Sequence, residues 1–221
     1  SRLLEDMQGR LVAARLRPQA GVDLRATGES FTIMESGVEG KAAVIGTIGE
    51  SRALAECHPG AVYLHRARQY VVQNLDLEKK VVRVVHSNDP YYTQVIREKE
   101  TEILEVLKSR PAGNFILCYG RLKVTERITG FQKRGIRQQE LLSAHPLDLP
   151  PQVFETCGLW IEVPPALEYA ISRADGHFMG GLHAIEHATI SMFPLFVLSD
   201  RNDIGGICFT HHPQVGGPAI F

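Results

Sequence analysis

The most specific chemistry lies in the run His183-Ala184-Ile185-Glu186-His187. Histidines four positions apart share one face of a helix, and a carboxylate beside the second can act as a general base. H-x-x-E-H is therefore a spacing at which a helix can hold a hydrolytic zinc. In that reading His183 and His187 are ligands and Glu186 is the base. A third ligand would have to come from downstream, where only 34 residues follow His187 and the acids Asp200 and Asp203 share one turn. The competing reading is a hydrogen-bonding pair of histidines at the edge of a core. Cys208, His211 and His212 form a second group at C-x-x-H-H spacing. Its plainer reading, which we favour, is a buried cysteine followed by two solvent-facing loop histidines.

A different chemistry is written between Arg121 and Arg137. Arg121, Lys123, Arg127, Lys133, Arg134 and Arg137 stand against one acid, Glu126, for a net charge of +5. Phe131 lies among them and Tyr119 beside them. Cations spaced along a β-hairpin can follow a phosphate backbone, and an aromatic ring can stack on a base. The alternative is an ordinary solvated sheet face. Residues 138–200 hold eight acids and one base, Arg173, so the charge is asymmetric along the chain. The segment Ser199-Asp200-Arg201-Asn202-Asp203-Ile204-Gly205-Gly206 reads as a turn, its paired glycines permitting positive φ or close backbone approach.

The whole chain has 221 residues and a formal net charge of −1, which excludes a wholly basic nucleic-acid module. Hydrophobic residues make up 44% and charged residues 22%, a composition that can bury a core without disulfides or metal. The four cysteines, 57, 118, 157 and 208, are scattered with no CxxC, as in a reducing cytosol. Neither GxxxxGK[ST] nor GxGxxG occurs, so no known loop for nucleotide phosphates is present. No signal peptide opens the chain, and its most apolar stretch, 190–198, is about half a membrane span. With no Met at Ser1, and a last residue in what reads as a strand start, the chain is expected to be a piece of something longer.

The elements that must position these residues follow from periodicity. Residues 1–17 show helical spacing, stopped by Pro18. From Val22 to Val163 the pattern is mostly β. Residues 61–65, 69–75 and 80–85 form a meander, 50–57 a short helix, and 91–96 and 102–107 further strands. A long strand over 115–129 is expected to turn through Gly130 and pair with 131–136. The last strand is 154–163. After Pro165 come helices over 166–174 and from 182 to about 198, with Pro194 kinking or ending the second. A strand over 207–210 follows.

Three longer stretches are more specific than any motif within them: Gly181-Leu-His-Ala-Ile-Glu-His-Ala, Phe193-Pro-Leu-Phe-Val-Leu-Ser-Asp-Arg-Asn-Asp-Ile-Gly-Gly, and His212-Pro-Gln-Val-Gly-Gly-Pro-Ala-Ile-Phe221. They resemble the C-terminal domain of MrfA-type DEAD/DEAH-box superfamily 2 DNA helicases, called the MrfA zinc-binding domain and first catalogued as a domain of unknown function. His58-Pro-Gly-Ala-Val-Tyr-Leu-His65, Tyr70-Val-Val, Leu75-Asp-Leu and Tyr91-Tyr-Thr93 resemble the segment between motor and zinc domain. The resemblance covers about Leu24 to Phe221. It implies part of an enzyme that uses ATP and magnesium to move 3′ to 5′ on single-stranded DNA in DNA repair. The motor would precede Ser1 and four zinc-binding cysteines would follow Phe221, so those site residues carry over to no position here.

The expected fold is therefore α+β: an N-terminal helix plus a β-rich meander or small barrel over 1–163, then a helical, truncated zinc-binding domain over 164–221. The expected role is that of a cytoplasmic, non-catalytic accessory piece. It needs no cofactor of its own, meets single-stranded or tailed DNA and the motor domains of the same chain, and touches no membrane. Arg121, Lys123, Arg127, Lys133, Arg134 and Arg137, with Phe131, are the nucleic-acid candidates. A zinc hydrolase using His183, Glu186 and His187, and a purely structural spacer, are the alternatives.

Overall fold

The computed structural model describes residues 3–5, 11–13, 29–36 and 42–221. Its chain forms two units, each built from two separate segments: Ser1–Ile96 with Ile128–Leu149, and Arg97–Arg127 with Pro150–Phe221.

The first unit opens with β1 (Leu3–Glu5) and β2 (Leu11–Ala13), paired antiparallel, where the spacing predicts a helix over 1–17. Short apolar runs suit either period, and Gly9 between them breaks a helical pattern. The rest of 1–17 lies outside the described residues. β3 (Ser30–Ser36), β4 (Ala42–Gly49), β5 (Val62–His65), β6 (Arg68–Asp76) and β7 (Val81–His86) make a sheet of order β4-β3-β7-β6-β5. The meander of β5, β6 and β7 is present as expected, and β3 joins it parallel to β7. The two-residue turn between β5 and β6 places Arg66 and Ala67 at φ 49° and 61°, the conformation that matches the twist of a tight hairpin. α1 (Glu50–Glu56) follows β4 and lays Ala53, with Cys57 just beyond its end, against Phe31, Ile33, Val72, Val82 and Val84.

β8 (Tyr91–Ala112) and β9 (Phe115–Gly135) are long strands that pair with each other and run through both units. Gly113, at φ 64°, makes the turn between them. The sequence reading divides each of these strands in two, and it places a hairpin at Gly130. The chain instead runs straight through Gly130, and β10 (Leu141–Pro146) pairs back onto residues 130–134. A Cβ at Gly130 would lie 2.7 Å from the His145 carbonyl oxygen, so this glycine admits a neighbouring backbone rather than turning the chain.

In the second unit, β11 (Gln152–Glu162) lies antiparallel to the first half of β9, with Gln152 opposite Glu126 and Glu162 opposite Ile116. β12 (Cys208–His212) and β13 (Gly217–Ile220) extend the sheet beyond β11. α2 (Pro165–Arg173) and α3 (Phe178–Met192) are helices, and α3 passes into a 3-10 turn at Phe193–Leu195, so Pro194 ends it early. The division expected near Pro164 falls inside this unit. Ile161 and Val163 from the strand side and Leu167, Phe178 and Leu182 from the helices share one core with Ile220.

Candidate functional site

Along the first half of β9, even-numbered residues turn inward: Cys118, Leu122, Val124 and Ile128 are buried. Alternation then puts Arg121, Lys123 and Arg127 on the opposite face. Two of these cations meet acids there. Arg121 lies 2.7 Å from Glu155 on β11 and 3.9 Å from Glu105 on β8, and Lys123 lies 3.1 Å from Glu102. Arg97 and Glu126 add another pair at 2.7 Å. This part of the basic segment is thus an ion-pair ladder across three strands, its charge largely compensated. Arg127 is exposed and has no ion pair among the described residues.

The continuation of β9 in the first unit differs. Lys133 sits 4.7 Å from the centre of the Tyr91 ring, a cation–π contact. Arg134 donates to Gln132 Oε1 and to the Gln139 carbonyl. Arg137 is exposed. None of these partners carries charge, so the three cations keep theirs. Phe131 is the exception to the expected set. It is 5% exposed, with His58 tilted against it at 4.5 Å and His145 stacked at 5.0 Å between ring centres. With its faces taken, Phe131 is a core residue and not a platform for a base. His58 is itself buried, and burial lowers its pKa.

The histidine motif is held on α3 of the second unit. His183 Nε2 lies 3.1 Å from His187 Nε2, and the rings meet edge-on. His183 Nδ1 faces the other way, 3.3 Å from Glu186 Oε2 and 3.9 Å from Cys208 Sγ on β12. Glu186 is 7% exposed, and a Cβ on Gly206 would approach its Cγ and Oε1 to within 2.9 Å, so this glycine leaves room for the carboxylate. Burial, then the Glu186 carboxylate, pushes the Cys208 thiol up to about 12. His183, Glu186 and Cys208 present ligand atoms within 4.8 Å of one another. His187 thus lies at the Nε2 edge of the His183 ring, and Glu186 and Cys208 lie at its Nδ1 edge, so the carboxylate of the H-x-x-E-H run is not beside the two facing Nε2 atoms.

Cys208 was legible only as a buried cysteine, because the contact joining it to a residue 25 positions earlier depends on β12 packing against α3. His211 is exposed, while His212 is buried with Nε2 bonded to the Thr101 carbonyl, so the C-x-x-H-H group is not assembled and only one of its histidines faces solvent. In the turn after α3 the Asp200 amide donates to Asp203. The four cysteines are dispersed: Cys57 in the first unit, Cys118, Cys157 and Cys208 in the second. A zinc held by four cysteines finds no ligand set among the described residues, and ATP finds no phosphate loop in the chain.

No protein-family model matches the chain. It is similar to the ATP-dependent helicase YprA of Bacillus subtilis, at 26% identity over 92% of this chain and 27% of that protein. It is similar also to the ATP-dependent helicase hrq1 of Schizosaccharomyces pombe, at 22% identity over 86% of this chain and 18% of the relative. The chain thus spans about a quarter or less of the length of the curated relatives it matches. The crystal structure of the DUF1998 helicase MrfA bound to DNA shares the fold over 99% of this chain and 29% of that one, with a TM-score of 0.63 and 24% identity. MrfA bound to DNA and AMPPNP gives 0.57 at 22% identity. Among the described residues no helix is long and apolar enough to cross a membrane.

Proposed function

We propose that this chain is an accessory region of an ATP-dependent DNA helicase, contributing DNA contacts and architecture while ATP is turned over elsewhere in the longer protein. The observation that carries this reading is the match of nearly the whole chain to a small share of several helicases, together with a fold shared with a DNA-bound one. Within the basic segment, Arg127 in the second unit and Lys133, Arg134 and Arg137 in the first are the cations with charge to spare for phosphates. Arg121 and Lys123 serve the sheet.

The test is fluorescence anisotropy of labelled single-stranded DNA at low and moderate salt. The wild type should bind and weaken as salt rises, by about 0.7 in the log–log slope for each phosphate contact. A triple Arg127→Glu, Lys133→Glu, Arg134→Glu variant should lose binding, while Arg121→Gln with Lys123→Gln should keep most of it. No binding at low salt, or equal binding by the triple variant, would replace this reading with that of a spacer.

A further inference from the structure

We propose a metal site that joins α3 to β12: a zinc-class divalent ion held by His183 Nδ1, Glu186 Oε2 and Cys208 Sγ, with its fourth position open to water. It is distinct from any four-cysteine zinc site, and it differs from the H-x-x-E-H arrangement because His187 is not a ligand. It is also independent of the DNA-binding reading.

Three observations carry it. The first is spacing. A tetrahedral ion with metal–nitrogen and metal–oxygen bonds of about 2.0 Å and a metal–sulfur bond of about 2.3 Å separates N from O by about 3.3 Å and N from S by about 3.5 Å. The observed separations are 3.3 Å and 3.9 Å. The first is long for a charge-assisted hydrogen bond, which closes to about 2.7–2.9 Å between nitrogen and oxygen. The second is the other edge of the imidazole. A metal-bound histidine donates its second ring N–H to a fixed acceptor, and His187 Nε2 waits 3.1 Å from His183 Nε2. His187 is thus a positioning residue. The third is the cradle around Glu186, whose carboxylate is buried where Gly206 offers no Cβ. A buried carboxylate needs a cationic partner, and the ion would supply one. The histidine, carboxylate and thiolate set suits zinc or cobalt, and the solvent-facing His183 side chain leaves an entry path.

The experiment uses the metal-free 221-residue chain titrated with Co(II) as a spectroscopic probe, then with Zn(II) as competitor. The expected result is one equivalent of cobalt, a thiolate-to-cobalt charge-transfer band, and the intense visible bands of four-coordinate cobalt, all displaced by zinc. Cys208→Ser should remove the charge-transfer band, and Cys157→Ser, which alters the exposed cysteine of the same unit, should leave it intact. His187→Ala should weaken binding by on the order of 10–100-fold without removing the band. Gly206→Ala should weaken it while leaving every ligand in place. His183 is exposed, so His183→Ala retains the fold by circular dichroism and reads out ligation even if a core variant unfolds. A folded wild type with no thiolate band, or a band that survives Cys208→Ser or His183→Ala, overturns the site and leaves a hydrogen-bonded trio.

Discussion

At the scale of single residues, His58 and Phe131 show how a side chain's role depends on a face. Odd-numbered residues of β9 point outward up to Thr129, and strict alternation would carry Phe131 outward among the cations. Gly130 and Phe131 are both buried, however, because both faces of β9 are covered here: the His145 carbonyl lies over Gly130, and His58 and His145 lie against Phe131. That cover was not legible, because it comes from residues distant in the chain. Phe131→Ala should cost about 3–5 kcal/mol in chemical denaturation, as for other buried rings; a change under 1 kcal/mol would return Phe131 to the surface. His58 gives a pH signature. Its folded pKa lies below the unfolded value of about 6.5 because burial disfavours the charged form. The unfolded chain therefore takes up the proton first. Stability is lost as pH falls below about 6.5 and levels off below the folded pKa. Urea midpoints between pH 7.5 and 5 should drop more for wild type than for His58→Gln; parallel curves would contradict the assignment. By contrast, the Gly205-Gly206 pair reads from residue type as positive φ or close approach, and Gly206 makes the second, beside Glu186.

At the scale of elements, the meander, α1 and α2 were readable from periodicity, and of the two outcomes that Pro194 allows for α3, a kink or an early end, the structure has the second. Two kinds of element were not. The first is a strand longer than a typical strand. β8 reads as two because its middle, Arg97–Glu100, is a charged run, yet the strand continues through it, with Arg97 paired to Glu126 on β9. The second is the short pair β1 and β2, whose apolar residues satisfy a helical period equally well. The ion-pair ladder on β8, β9 and β11 makes its own prediction. Arg121 and Glu155 are both about half exposed, so Arg121→Gln should cost under about 1 kcal/mol, and raising salt should shrink the difference further. A loss well above that, persistent in high salt, would mean that the ladder is a structural element in its own right and not a screened surface feature.

At the scale of the whole chain, composition allows a buried core and charge excludes a wholly basic module; neither points to segments that interleave. Residues 1–96 close their unit only with residues 128–149, and residues 97–127 close theirs only with 150–221. Pairings across such separations leave no trace in local periodicity, which is why Pro164 reads as a boundary although Val163 before it and Leu167 after it share one core. The resemblance to helicases crossed that gap because it rests on long stretches of residues and needs no knowledge of which strands meet.

The interleaving has a consequence for synthesis. As the chain leaves the ribosome in order, the five-stranded sheet of residues 30–86 has all its strands early, but the unit is complete only once residues 128–149 have emerged, after the start of the second unit is made. By then residues 97–127 are already committed, through β8 and β9, to a partner strand not yet translated. Neither unit can be finished before the other has begun, so the familiar vectorial rule of one domain after the next does not apply. A stop codon between residues 97 and 149 leaves both units open, and a gene divided at any single point in that interval divides both.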